Sequence, residues 1–474
     1  MTGARSVSDR ELDAPANAFD LVIIGAGEAG QAAAYRAREL KANVAIVDRE
    51  LFGGSCPFWA CMPSKALLHA AAIHHAGGDY PWQRASEFRD WMIVREQPLD
   101  WPDDSGHVND LVAAGAEVIR GEARIDGPAR VVVQTPDGVR TLQTHAILVS
   151  VGTNSTIPDD IEGLDQIRPW TNREATTTRD LPKSLVVLGA GPTGVEMSQV
   201  FARYGARTVL VSPHDRINPK DHPRSSATLD AALRHDGVDN RTGVRARRIR
   251  ATAGADGAHL VDLSDGATVE GHEILLAIGR TAPLDGLGLE TVGVRLIDGE
   301  LRPDDRLRIA DGVFVAGDPA GPEMHTHLAV YQGEMAARIA LGEDVKPDHR
   351  AIPRAIYTEP QAAGVGLQLE EARELGFDAI EVTTDYATSA PGYIAEAEGH
   401  VSIVVDQRER VLLGAFIAAP GAADAIGEAV LAIKTRTPLD VLADTIHPFP
   451  TTVRVMGGLF AKAAHSRAGD RPGD

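Results

Sequence analysis

The apolar positions fall into short, nearly continuous runs punctuated by glycine, the pattern of a chain that alternates strand and helix. Phe19-Asp20-Leu21-Val22-Ile23-Ile24 reads as a first strand; Gly25-Ala26-Gly27-Glu28-Ala29-Gly30 follows, then an alanine-rich helix to Leu40 and a second strand, Asn43 to Asp48. The arrangement repeats. Leu185 to Leu188 leads into Gly189-Ala190-Gly191-Pro192-Thr193-Gly194, a helix through Tyr204 and a strand from Arg207 to Ser212. Ala146 to Thr153 and Glu273 to Arg280 are strands ending in glycine turns at Gly152 and Gly279, and Gly312 to Asp318 is a strand that delivers an acid. From Ala351 the texture changes to strands at Pro353–Thr358, His400–Asp406 and Val411–Ala418 with helices at Ala425–Lys434 and Arg454–Ala464, an α+β domain. Residues 77–108 carry Trp82, Trp91, Trp101 and several prolines without a clear period, and read as an insertion or an irregular helical arm.

The two glycine turns differ in the residues downstream of them. Gly25, Gly27 and Gly30 permit a tight turn and close approach of backbone to a pyrophosphate at a helix N-terminus, and Asp48 can accept from ribose hydroxyls. In that unit the acid stands 18 residues after the third glycine (30 to 48); the same step from Gly194 reaches Ser212, which has no carboxylate, with His214 and Arg216 close behind. A missing acid beside two donors suits a ribose 2′-phosphate, so the second unit (Gly189, Gly191, Gly194) is assigned NADPH rather than NADH. On the plainer reading His214 and Arg216 are solvated loop residues. The first unit then takes a dinucleotide whose ribose carries no phosphate; FAD fits, with Asp318 placed for a ribityl hydroxyl.

A chain of 474 residues exceeds one core and suggests about three domains. With 47 Lys and Arg against 67 Asp and Glu, the net charge of −20 argues against nucleic acid or an anionic membrane as the main partner. Met1 to Asn17 lacks the apolar stretch of a signal peptide and no run approaches membrane-spanning length, so the expectation is a cytoplasmic protein. The chain holds two cysteines, Cys56 and Cys61, within Gly53-Gly54-Ser55-Cys56-Pro57-Phe58-Trp59-Ala60-Cys61-Met62-Pro63-Ser64-Lys65. They could be free and buried; a zinc site lacks a second ligand pair, so no metal is expected. A regular helix would carry Cys61 about 7.5 Å along its axis from Cys56, beyond disulfide reach, so a bridge requires irregular backbone, which Gly53, Gly54 and Pro57 allow.

The first glycine turn, Cys-x4-Cys, the second glycine turn and Gly317-Asp318, following one another along the chain, resemble the pyridine nucleotide-disulfide oxidoreductases, which include dihydrolipoyl dehydrogenase, glutathione reductase and mercuric reductase. The resemblance implies an α/β fold: a discontinuous FAD domain (19–158 and 282–346), an inserted NAD(P)H domain (159–281) and a C-terminal interface domain (347–464). Residues 1–18 and 465–474 are expected to be disordered. It further implies a homodimer whose active site is completed by the partner's C-terminal domain. Cys56 would be the interchange thiol and Cys61 the flavin-facing thiolate, with Lys65 and Glu196 near the flavin ring and Gly54, Ser55, Gly152 and Gly279 among the cofactor contacts.

The resemblance breaks where family members carry a catalytic histidine and glutamate. In His447-Pro448-Phe449-Pro450-Thr451-Thr452-Val453-Arg454, Phe449 stands in place of the histidine and Arg454 in place of the glutamate, and phenylalanine cannot carry a proton. His447, His325 and His327 are weighed as replacements, with a structural or solvent role preferred for each. Phenylalanine at that position, with Gly53 to Pro57 and Ala60-Cys61, is similar to 2-ketopropyl coenzyme M oxidoreductase/carboxylase, although Phe58 and Arg454 replace that enzyme's companion histidines. The expected function is therefore NADPH-dependent reduction, through FAD and the cysteine pair, of a small sulfur-type or related electrophilic acceptor. The alternatives are reductive thioether cleavage, flavin-level reduction of quinones or oxygen, and a non-catalytic redox sensor.

Overall fold

Leu21, Val22 and Ile23 expose no surface, nor do Val44, Ala45 and Ile46. Strands buried on both faces belong to a parallel sheet covered by other elements, and the computed structural model, which describes residues 17–94, 102–252, 257–321 and 323–465, has that arrangement. Its contacts group the chain into two compact units: Met1–Pro63, Asp90–Asn154 and Arg280–Pro347 in one, Ser64–Arg89, Ser155–Gly279 and Asp348–Asp474 in the other.

In the first unit the strands run in the spatial order Arg308–Ala310, Val313–Val315, Gly138–Val149, Ala18–Ile24, Val44–Asp48 and Glu117–Arg120, with Arg130–Thr135 and Glu122–Ile125 extending the Gly138–Val149 strand as an antiparallel flap. Ala18–Ile24 is parallel to both neighbours, Leu21 registering with Val44 and Ala146. The helix Glu28–Glu39 covers this sheet with Ala29, Ala33, Ala34 and Ala37, side chains small enough to admit a second helix, Thr326–Ala340, to backbone contact. At Gly333 a Cβ would lie 2.1 Å from the Ala29 carbonyl oxygen. Only glycine permits that crossing, and it fixes where the second helix begins.

The second unit contains a parallel sheet in the order Asp239–Arg241, Arg207–Val211, Ser184–Leu188, Glu273–Leu276, an antiparallel three-stranded sheet (Ala246–Arg250, His259–Leu263, Thr268–Gly271) and an antiparallel five-stranded one (Pro353–Ile356, Ala362–Gly366, Val411–Ala418, His400–Asp406, Ala379–Asp385). Helices Ala422–Thr435 and Thr452–His465 close a core with the last sheet.

Two expectations need correction. Within the irregular stretch 77–108, Trp82–Val94 is a regular helix and Ser105 begins another, to Ala113; Trp82 is buried with its indole nitrogen donating to the Arg179 carbonyl at 2.8 Å, an anchor that aperiodic sequence does not announce. Trp91 is half exposed and Trp101 lies outside the described residues. The expected disordered ends also lie outside the described residues, except that Ala18 already belongs to the first strand and His465 to the last helix.

His400 is fully buried, with Ser225 Oγ 3.0 Å from Nε2 and Ser402 Oγ 3.0 Å from Nδ1. Its ring stacks on His222, which lies 3.1 Å from a Glu381 carboxylate oxygen. Burial first, then the charges of His222 and Arg224, push His400 down from 6.5 to about 3. As pH falls below 6.5 the unfolded chain takes up a proton that native His400 refuses, so this contribution is intact above that value and is lost toward pH 3. The slope is at most about 1.4 kcal/mol per pH unit. Urea unfolding should show a smaller loss of stability between neutral and acidic pH for His400→Gln than for the parent; equal losses would remove His400 from the account.

Candidate active site

Between Cys56 and Cys61 the helix breaks. Ser55–Trp59 forms one short helical segment and Cys61–His75 a second, separated by Ala60 at φ −129°, ψ −99°, the irregular backbone that a bridge between the two cysteines would need. The segment is held against the first glycine turn: Gly53 N–H donates to the Ala26 carbonyl at 2.9 Å, and a Cβ on Gly54, whose φ is +68°, would meet the Gly27 Cα at 2.7 Å. Phe58 and Trp59 anchor it from below, packed with Ile93.

Both cysteines are partly buried and share one hydroxyl. Thr326 Oγ1 donates to Cys56 Sγ at 3.5 Å and lies 3.2 Å from Cys61 Sγ. A threonine hydroxyl has one proton to give, so with that proton on Cys56 it accepts from Cys61. The hydrogen bond with Cys61, then burial, push the Cys56 thiol far up, while the Thr326 hydroxyl acts in the opposite sense. Two sulfurs this close do not both ionise; they share one negative charge. Thr326 opens the helix Thr326–Ala340, whose N-cap makes no side-chain hydrogen bond, so uncapped amides and the positive end of the helix dipole stand beside the pair. Sequence reasoning weighed the flanking His325 and His327 and missed Thr326, although a hydroxyl opening a helix was the available signal. His325 instead reaches Glu323 at 2.9 Å and stacks on His327 at 5.2 Å.

The first glycine turn carries a comparable opening. The helix Glu28–Glu39 starts at Gly27 with no side-chain cap, and Gly25 and Gly30 complete the turn beneath it. Asp48 clamps this loop, its two oxygens accepting from Ala26 N and Glu50 N at 2.7 Å each; burial pushes its carboxyl up. Each oxygen retains a second lone pair for a hydroxyl. Asp318 follows the strand Val313–Val315 and accepts from Thr153 Oγ1 at 2.6 Å and Arg280 at 2.7 Å. Ser55 opens its helix and Gly152 lies in the turn after the strand Gly138–Val149.

In the second unit the helix Pro192–Arg203 starts at Gly191, again without a side-chain cap, between Gly189 and Gly194. Ser212 follows the next strand and is buried, its Oγ accepting from His214 N at 3.3 Å; the His214 side chain is exposed. Arg216 is committed to the loop, donating to the carbonyls of Pro219 at 2.7 Å and Asp221 at 3.3 Å. A Cβ on Gly279 would lie 3.6 Å from Thr156 Oγ1. Glu196, buried on the Pro192–Arg203 helix, accepts Lys65 Nζ at 2.9 and 3.1 Å and the Tyr357 amide at 3.0 Å. Lys65 also sits 4.7 Å from the Tyr357 ring centroid, so Tyr357, which the sequence did not single out, completes a lysine-glutamate-tyrosine cluster. His447 is turned inward: its Nε2 lies 2.9 and 3.0 Å from the Glu428 carboxylate oxygens, and its ring fills the space beside Gly457. Phe449 is 74% exposed and Arg454 is exposed on the final helix.

Residues 19–333 match the family described as pyridine nucleotide-disulphide oxidoreductase, and residues 352–458 match that family's dimerisation domain. This chain is a pyridine nucleotide-disulphide oxidoreductase. It is 31% identical to a dihydrolipoyl dehydrogenase of Thermus scotoductus, over 95% of this chain and 98% of the relative, and 32% identical to a mercuric reductase of Streptomyces lividans, over 92% and 94%. Among solved structures, the HOCl-induced flavoprotein disulfide reductase RclA of Escherichia coli, as its Cu(II) complex, shares the fold at a TM-score of 0.83 with 23% identity, covering 94% of this chain and all of the other. LpdA of Mycobacterium tuberculosis superposes at a TM-score of 0.82 with 25% identity, over 93% and 99%.

As a member of this family the protein is an FAD-dependent oxidoreductase that also uses a pyridine nucleotide, and the dimerisation-domain match suggests a homodimer. The FAD fits the first unit: the uncapped amides after Gly27 suit a pyrophosphate, Asp48 a ribose, and Asp318 a ribityl hydroxyl. No helix among the described residues is long and apolar enough to cross a membrane.

The shared hydroxyl gives a direct test. In the reduced enzyme, Thr326→Val should slow iodoacetamide alkylation at pH 7 by about tenfold, the cost of one hydrogen bond to a charged sulfur. An unchanged rate would show that Thr326 does not stabilise the thiolate.

Proposed function

We propose that this enzyme passes two electrons from NADPH to the Cys56–Cys61 disulfide and from the resulting dithiol to a small sulfur-type or related electrophilic acceptor. FAD, when bound, supplies the two-electron relay between nicotinamide and disulfide. The observation that carries the reading is the pair itself: two thiols across a helix break, bridged by Thr326 at an uncapped helix end. Cys56 is the interchange thiol and Cys61 the flavin-facing one. When Cys56 attacks an acceptor disulfide, one acceptor sulfur leaves with the electron pair and a proton; Cys61 then attacks Cys56, re-forming the internal disulfide and releasing the second sulfur. A reducing cytoplasm suits a pair that cycles in this way.

NADPH is favoured by Ser212, which places a hydroxyl where an acid would repel a 2′-phosphate, and by the exposed His214 beside it. Arg216 contributes less than its position in the sequence implies, because its guanidinium holds two loop carbonyls. Lys65, fixed by Glu196 and Tyr357, is the cation proposed to tune the flavin. The Phe449 loop, with Ile446 and Phe449 both strongly exposed, is proposed to enter the partner subunit's site, where the absence of an imidazole makes protonation of a leaving thiolate slow.

Anaerobic titration of the FAD-loaded enzyme with NADPH should develop a broad long-wavelength band of thiolate against oxidised flavin before the flavin bleaches. Bleaching with no such band would move the activity to flavin-level reduction of quinones or oxygen. Phe449→His should raise turnover of a disulfide acceptor by about tenfold or more, within the usual range of general acid–base catalysis. No change in an intact dimer would refute the placement of Phe449.

A further inference from the structure

On the second unit, two helices end together. The helix Cys61–His75 closes with His74 and His75 in its last turn, and the helix Pro223–His235 closes with His235, capped by Asp236. His75 Nε2 lies 3.6 Å and His235 Nδ1 3.9 Å from the same oxygen of Asp236, Oδ1, and the three ligand atoms are all within 4.8 Å of one another. Both separations exceed a hydrogen bond. They approach the spacing of about 3.3 Å between ligands bound at about 2.0 Å around a tetrahedral ion, and small side-chain rotations close the difference.

The carboxylate is held for this purpose. Asp236 exposes only 3% of its side chain, and its other oxygen, Oδ2, accepts from Gln199 Nε2 at 2.8 Å and Arg203 Nε at 2.9 Å, both on the helix Pro192–Arg203. Such outer contacts fix the orientation of a metal-binding carboxylate and leave Oδ1 to the two imidazoles. Both imidazoles are exposed. His74 stacks on Tyr204 at 4.7 Å, Arg203 also pairs with Glu359, and Arg234 is engaged by Asp230 and the Asn240 carbonyl. Two helix C-termini add their negative dipole ends to the same spot, which favours a cation.

We propose that His75, His235 and Asp236 form a surface site for a late first-row divalent ion, Zn2+ or Cu2+, that ties the end of the Cys61–His75 helix to the end of the Pro223–His235 helix. Two imidazole nitrogens and one carboxylate select such an ion over Mg2+ or Ca2+, which prefer all-oxygen sites. Solvent completes the coordination. Each imidazole binds the ion through a nitrogen lone pair.

The test uses the full-length FAD-loaded protein carrying Cys56→Ser and Cys61→Ser, so that thiolate binding does not compete. Cu2+ titration followed by electron paramagnetic resonance should show one ion per chain with superhyperfine coupling to two nitrogens. Zn2+ should raise the thermal midpoint. His75→Ala and His235→Ala should each weaken binding by about tenfold or more and abolish the Zn2+ shift. Unchanged affinity in either histidine variant, a spectrum with no nitrogen coupling, or no binding at 100-fold excess metal would overturn the proposal. The two variants remove exposed side chains, so folding is retained; Mg2+ at the same concentration should leave the midpoint unmoved, and an equal shift would also refute the site.

Discussion

Two polypeptide backbones touch only where no side chain stands between them, and the first unit depends on two such contacts. Gly54 lies against Gly27, which sets the redox segment on the first glycine turn, and Gly333 lies against Ala29, which sets the helix Thr326–Ala340 on the helix that this turn begins. The cysteines and Thr326 come from segments some 265 to 270 residues apart, yet both reference the same turn and helix. A Cβ at Gly54 or Gly333 would displace one set of reacting groups from the other by more than a hydrogen bond tolerates.

Electrostatics then act on a fixed geometry. The sulfurs share one hydroxyl and an uncapped helix end, so a single negative charge on the pair is stabilised while a second is not. In the second unit Glu196 is buried, and burying a carboxylate without partners is costly; Lys65 and the Tyr357 amide supply them. The consequence is positional: the lysine head is tethered on two oxygens and over an aromatic ring instead of moving freely in solvent.

On the proposed reading, proton supply is where this enzyme departs from the pattern that the resemblance implies. His447 is the histidine nearest to the expected position in the sequence, but it is turned into the C-terminal core against Glu428, and the room for its ring is the missing side chain of Gly457. The exposed position goes to Phe449. If Phe449 enters the site as proposed, an apolar ring in place of an acid-base group would leave the dithiol chemistry intact and slow each step that needs a proton.

Much of this was legible in the sequence because its causes are local. A glycine turn between an apolar strand and an alanine-rich helix needs only neighbouring residues to specify it, so both nucleotide-binding units could be read, and a Cys56–Cys61 bridge could be seen to need a helix break such as the one at Ala60. Burial of a side chain and the direction in which it points depend on residues far away in the chain. Tertiary packing therefore decided that Thr326 and not its histidine neighbours reaches the sulfurs, that Arg216 holds its own loop, that the Trp82 segment is a regular helix, and that His75, His235 and Asp236 converge. The sequence by itself determined the strands and helices around the two glycine turns, the turns themselves and the spacing of the cysteine pair, since each is encoded within one continuous stretch. The partners of every polar group were left to the fold, because a hydrogen bond is satisfied by whichever atom packing brings within about 3 Å.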